Sequence, residues 1–277
     1  MKDCLASQLK ASVNNSQLEK LGIIEITISV TSSDQLYVFR ASEDDIVQMK
    51  ILSAPLGGQI QKYVSGGTRE DLGQSCFLKN EDSGGYYFSV IGSYVVQFTN
   101  KNYITTFMPL DATADLSSFS YMTDLGTLQM RDSISGDLKS LEYSFSHNLK
   151  QLYLSNCENI DGDLDELSLS DIVIFNCQHS ERLKGSISAF SGNTQIQTLV
   201  LRGENVYGDI ANIAGCSALS NCQMGNSGIS GSLASLINNG QLTNPNLSIL
   251  LVTNTPNLTK NDGDIATLRS LGVSVYV

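Results

Sequence analysis

Residues 134–141 read ISGDLKSL, and the phrase returns five times. It is IDGDLDEL at 160–167, LKGSISAF at 183–190, VYGDIANI at 206–213, ISGSLASL at 229–236 and, more loosely, KNDGDIATL at 260–268. Its glycines (Gly136, Gly162, Gly185, Gly208, Gly231 and Gly263) are separated by 26, 23, 23, 23 and 32 residues. A period of about 20–29 residues marks one small structural unit copied along the chain, each copy unable to bury its apolar face alone.

A second pattern, L-x-x-L-x-L, precedes each glycine: LGTLQM at 125–130, LKQLYL at 149–154, LSDIVI at 169–174, IQTLVL at 196–201, LSNCQM at 219–224 and LSILLV at 247–252. In L-x-L the side chains alternate, so both apolar residues leave one side of a strand. Stacked copies bury that side as a parallel sheet with strands about 4.8 Å apart. Length and pattern together are those of a leucine-rich repeat. The expectation is a solenoid of about six repeats over residues 110–277. A small residue is expected at the turn after each strand: Ser133, Cys157, Cys177, Ser227, Thr255, and either Glu204 or Asn205. On the return side, Ile134 and Leu138, Ile160 and Leu164, Val206 and Ile210, and Ile229 and Leu233 are expected to point inward around each glycine. Asp137, Asp163, Asp209, Ser186 and Ser232 follow the glycines and suit the capping of short helical turns. The D-x-D-G spacing of a calcium loop is absent apart from DGDLDE at 161–166.

Before about residue 110 the period vanishes. CLASQLKASV places Leu5, Leu9 and Val13 on one helical face. From IIEITISV (23–30) the rhythm is two, and QLYVFRA, DIVQMKIL, YYFSV, YVVQFT and YITTFM continue it at hairpin distances. The fold class is therefore β-rich α+β. Residues 1–109 form a small antiparallel, sandwich-like β domain with one short helix, for attachment or oligomerisation, followed by the parallel solenoid at 110–277.

Composition narrows the function. Hydrophobic residues make up 41% of the 277 and charged residues 16%, with 17 basic against 28 acidic residues for a net charge of −11. A negative chain without Lys/Arg runs is a poor partner for nucleic acid. No stretch approaches the roughly 20 apolar residues of a membrane span, and MKDCLASQLKASVNN lacks the apolar core of a signal peptide. The six cysteines show no C-x-x-C pair and read as free, mostly buried thiols. The two histidines, His147 and His179, fall in expected loop or return segments without a nucleophile at a recognisable spacing. No catalytic residue, metal ligand or cofactor is assigned. The informative surface is the outward strand face. Its expected columns are Gln129, Tyr153, Val173, Val200, Gln223, Leu251 and Arg131, Ser155, Phe175, Arg202, Gly225, Thr253. The expected binding cluster is Tyr153, Val173, Phe175 and Val200, flanked by Arg131 and Arg202.

The opening residues Lys2, Asp3, Leu5, Leu9, Lys10, Val13, Asn15 and Leu18, the segment GGYYFSVIGSYVVQFTNKNYITTF and the ISGDL-type repeats resemble a leucine-rich-repeat protein family of Bacteroides-infecting bacteriophages, crAss-like phages included. The resemblance spans nearly the whole chain. Spacings of 26 and 32 and the QHSER segment at 178–182 are less regular than the family pattern. The resemblance implies a non-enzymatic virion protein, made in the host cytoplasm, decorating capsid or tail. Its partners would be other virion proteins or a host-surface protein or glycan, with homo-oligomers allowed and neither nucleic acid nor membrane insertion involved. The alternative is a bacterial or prophage intracellular interaction module with no role in a particle.

Overall fold

Each of the first five copies of the repeated phrase is a short strand running into a capped 310 helix. In the computed structural model, which describes residues 22–277 apart from 33, 64–67, 81–84, 110 and 133, the phrases give the strands Ile134–Asp137, Asn159–Asp163, Leu183–Ser186, Gly203–Asp209 and Ser227–Ser232. The 310 helices Leu138–Leu141, Leu164–Glu166, Ile187–Phe190, Ile210–Ile213 and Leu233–Leu236 follow them. The residue after glycine is the cap: the side chains of Asp137, Asp163, Ser186, Asp209 and Ser232 each accept from the backbone N–H two residues on. The carboxylate column thus satisfies the exposed donors of successive helix starts. The return side is more than a bend, because its strands pair in parallel into a second sheet.

The glycine makes room for the cap of the preceding coil. At Gly185 (φ 109°) an added Cβ would lie 2.7 Å from both the Asp163 Oδ1 and the Leu164 backbone nitrogen. At Gly231 (φ 89°) it would run into the Asp209 carboxylate. Gly185→Ala is therefore expected to cost about 2–3 kcal/mol, combining backbone strain with a displaced cap. Gly192→Ala, at φ 78° with open space around it, should cost about 1 kcal/mol. Urea unfolding of the two variants checks the difference.

The L-x-x-L-x-L segments form the other sheet: Thr127–Arg131, Gln151–Ser155, Ile174–Cys177, Thr198–Leu201, Asn221–Gln223, Ile249–Leu251 and Ser274–Tyr276, all parallel. Between the sheets lies one apolar core, with Leu128, Leu152, Phe175, Leu199, Cys222 and Leu250 all at 0% exposure. The expected inward pegs, from Ile134 and Leu138 to Ile229 and Leu233, are in it.

Two departures from regularity have local causes. After the fifth phrase, Ile237–Asn238 pairs antiparallel with Gln241–Leu242. The turn is Asn239-Gly240, both at positive φ, the pairing that favours a tight hairpin. The sixth phrase is not a strand copy. It lies in the α-helix Asp262–Ser270, which buries Ile265 and Leu268 against the last coil.

The N-terminal strands are antiparallel, as their alternation predicts, but they do not stand apart as a sandwich. Ile24–Val30 pairs with Gly92–Phe98 on one edge and with Ala112–Asp115, the first return strand, on the other. Val38–Ala41 pairs with Ile104–Met108, which in turn pairs in parallel with Thr127–Arg131. Both solenoid sheets therefore run on across residue 109 into the antiparallel region, giving one sheet of eleven strands and one of nine. The aromatic core is continuous as well: Phe39 and Phe98 each contact Phe107, and Phe107 packs on Phe119 of the 310 helix Leu116–Phe119 at 5.2 Å. What changes near residue 109 is strand direction. The amphipathic segment holding Leu5, Leu9 and Val13, together with Cys4 and Ser133, lies outside the described residues.

Candidate functional site

The outward face of the nine-stranded sheet is set by register. Tyr153 pairs with Asn176, Asn176 with Val200, Val200 with Gln223, and Gln223 with Leu251. Gln129 precedes this column and Tyr276 ends it. A parallel column runs Thr127, Gln151, Ile174, Thr198, Asn221, Ile249 and Ser274.

The structure brings Tyr153 and Val200 into one column and leaves Arg131 and Arg202 at the strand ends. Phe175 is not on this face. It is 0% exposed, pairs with Leu152 and Leu199, and packs on Phe190 at 5.3 Å. Val173 is half-buried in the bend before the strand and does not share the Tyr153 column. In their place the third coil presents Ile174 and Asn176. The frame LSDIVI at 169–174 is displaced by three residues, and the operative one is IVIFNC at 172–177. Three is odd, so the shift exchanges the two faces. With Ile172 as the start, successive coils begin at Leu125, Leu149, Ile172, Ile196, Leu219 and Leu247, and QHSER is no insertion. The turn column shifts with it. Ser180 and Gly203 stand with Cys157, Ser227 and Thr255, while Cys177 pairs beside Leu201.

Tyr153 is half-buried, and burial raises its phenol pKa. Val200, though outward, is only 3% exposed, hemmed in by its neighbours. Arg131 is exposed; Arg202 is partly buried, its Nε enclosed and without a hydrogen-bond partner. Beside Arg202 the strand Gly203–Asp209 bulges, since Gly203 pairs with Ser227 but Tyr207 with Gly228. A cleft of about 390 Å³ opens there among His179, Glu181, Glu204, Asn205 and Asn226. Neither strand-face column carries an acidic residue, although the chain holds 28. Asp115, Asp137, Asp163 and Asp209 serve instead as caps of the 310 helices.

Sequence reasoning missed the buried amide column on the lower turn. Asn193 is 2% exposed. Its Nδ2 donates to the Leu169 and Ile172 carbonyls, each at 2.8 Å, and its Oδ1 accepts from the Gln195 and Ile196 N–H groups. Ser144, Cys216 and Asn244 play the same part, each donating to a carbonyl of an earlier coil. The available signal was N/C-x-x-I/L, as in Asn193–Ile196, Cys216–Leu219 and Asn244–Leu247.

Cys157, Cys177, Cys216 and Cys222 are free thiols and buried. Burial pushes Cys157 up to about 12 and Cys216 up to about 11, and raises Cys177 and Cys222 as well. Thiols so protonated are unreactive. Among the described residues there is no His/Cys/Asp/Glu group that could hold a metal ion, and no helix long and apolar enough to cross a membrane.

The coils define the class: a leucine-rich-repeat solenoid closed at its N-terminal end by antiparallel strands. No family model matches the chain, and no curated protein matches it. Among solved structures it is similar to internalin C2 of Listeria monocytogenes, at 18% identity over 64% of this chain and 71% of that one, with a TM-score of 0.47. It is also similar to an internalin (inlF) from the same organism, at 14% identity over 59% and 70%, with a TM-score of 0.21. Neither superposes closely enough to lend its own properties to this chain.

Proposed function

We propose that the chain is a non-enzymatic binding module whose strand face recognises another protein. The observation that carries this reading is the contrast between that face and the rest of the molecule. On a chain of charge −11, it presents Tyr153, Ile174, Leu251 and Tyr276 among Gln, Asn and Thr, with arginines at its border and no carboxylate in its columns. Depletion of charge with aromatic and arginine enrichment is the composition of an interface centre. Absence of acids also spares a neutral or acidic partner from repulsion.

The finer reading is a phage virion decoration protein, with the antiparallel end on the particle and the strand face turned to a virion or host-surface partner. It is supported by the resemblance of the opening and repeat motifs to the Bacteroides-phage family. The double substitution Gln151→Asp/Asn221→Asp introduces charge at two outward positions that are not strand neighbours and should leave the unfolding midpoint nearly unchanged. In phage carrying it, the protein should be lost from particles, or particles should adsorb at least tenfold more slowly. Mass spectrometry of purified wild-type particles tests the virion role directly. Absence of the chain there leaves the intracellular interaction module; unchanged incorporation and adsorption discard the strand face.

A further inference from the structure

Tyr121 holds a backbone conformation that the same turn elsewhere assigns to glycine. The segment Phe119-Ser120-Tyr121-Met122 matches Phe190-Ser191-Gly192-Asn193 position for position, each closing a 310 helix. Gly192 has φ 78° and Tyr121 φ 59°. A left-handed tyrosine is strained, and the residue is 62% exposed, so burial does not offset the strain. Strain retained at the surface points to use of the side chain.

The neighbouring coil departs from the repeat at the same place. From Leu138 to Leu149 the chain takes eleven residues where Leu116–Leu125, Ile187–Ile196 and Ile210–Leu219 take nine. The longer segment forms the helical turn Glu142–Phe145 and presents Tyr143 and His147. Tyr143 lies 5.4 Å from Tyr121 with the rings tilted at 55°, and stacks on His147 at 4.1 Å. The His147 Nδ1 is held at 2.7 Å from the Tyr143 carbonyl. Around the two tyrosines is a cleft of about 500 Å³, bordered by Ser117, Ser120, Lys139, Ser140, Glu142 and Ser146.

We propose that this cleft binds a pyranose unit of a glycan. A pyranose has an apolar C–H face and a girdle of hydroxyls. Two tilted phenol rings offer an apolar trough for the first. Serine hydroxyls, the Lys139 ammonium and the Glu142 carboxylate offer donors and acceptors for the second. Lys139 already donates to the Glu166 carbonyl at 2.6 Å, and Glu142 accepts from Ser168, which fixes both groups while leaving capacity to spare. The volume falls within the roughly 300–1,000 Å³ of small-ligand sites. The site is on the return side and is independent of the strand face, so it stands or falls separately from protein recognition there.

The chain has eleven tyrosines and no tryptophan, so the readout is the individual ring resonances of Tyr121 and Tyr143, assigned by comparing the parent with Tyr121→Gly and Tyr143→Ala. The probes are a β-1,4-linked glucose hexamer, a β-1,4-linked N-acetylglucosamine tetramer and an α-1,6-linked mannose trimer, with adenosine as a flat aromatic control. At least one sugar should shift the Tyr121 and Tyr143 ring signals. Tyr121→Gly should weaken that binding at least tenfold while raising the melting temperature by about 2 °C through relief of strain. Tyr143→Ala should weaken it similarly. The proposal is overturned if no sugar moves these rings, if adenosine alone does, if Tyr121→Gly binds like the parent, or if Tyr121→Gly melts lower.

Discussion

Phe175→Ala should lower the stability of the protein by about 3–5 kcal/mol, with a fall in melting temperature on the order of 10 °C. The ring is wholly buried, between Phe190 at 5.3 Å and Phe145 at 6.5 Å. It ties the third coil to its neighbours by pairing beside Leu152 and Leu199. Because each coil is stabilised mainly through adjacent coils, the loss should spread along the stack and broaden the unfolding transition. Urea unfolding followed by circular dichroism measures both effects. A loss under about 0.5 kcal/mol, the usual size for an open surface position, would return Phe175 to the outward face and restore the LSDIVI frame.

Asn193→Leu is expected to cost about 3 kcal/mol or more, since a buried polar group left without a partner costs about 1–3 kcal/mol and this side chain serves four. The Ile172 carbonyl and the Gln195 and Ile196 N–H groups lose this partner, and the Leu169 carbonyl keeps only the long bond from the Ile172 N–H at 3.4 Å. Leucine matches the size and restores none of them. Amide hydrogen exchange should show the damage locally, at Gln195 and Ile196 first. Protection unchanged at those two amides would mean that the turn holds itself without the side chain.

The two variants mark where the chain was legible. The coil was legible because apolar residues recur at a fixed spacing, and a repeat that buries itself only against its own copy has few alternative packings. The caps were legible because Asp or Ser after glycine is a local arrangement, complete within a few residues. Coil three was misread because Ile172-Val173-Ile174-Phe175 is apolar throughout, so alternation there does not say which residues face inward. Only pairing with Leu152 and Leu199 decides it. Asn193 was passed over because the two carbonyls it donates to lie 21 and 24 residues away, and a polar residue beside a turn looks solvated until the neighbouring coil covers it. The candidate site fared in proportion: Tyr153, Val200, Arg131 and Arg202 were placed by intact coils, Val173 and Phe175 by the misread one.

The sequence by itself determined the repeat, its length, its caps and the inward leucines, since these follow from periodicity and from contacts a few residues apart. Only the tertiary structure decided the phase of the third coil, the joining of the antiparallel strands to both solenoid sheets, and the meeting of Tyr121 with Tyr143. Each of these depends on which distant segments lie side by side, and side-chain alternation is silent about that.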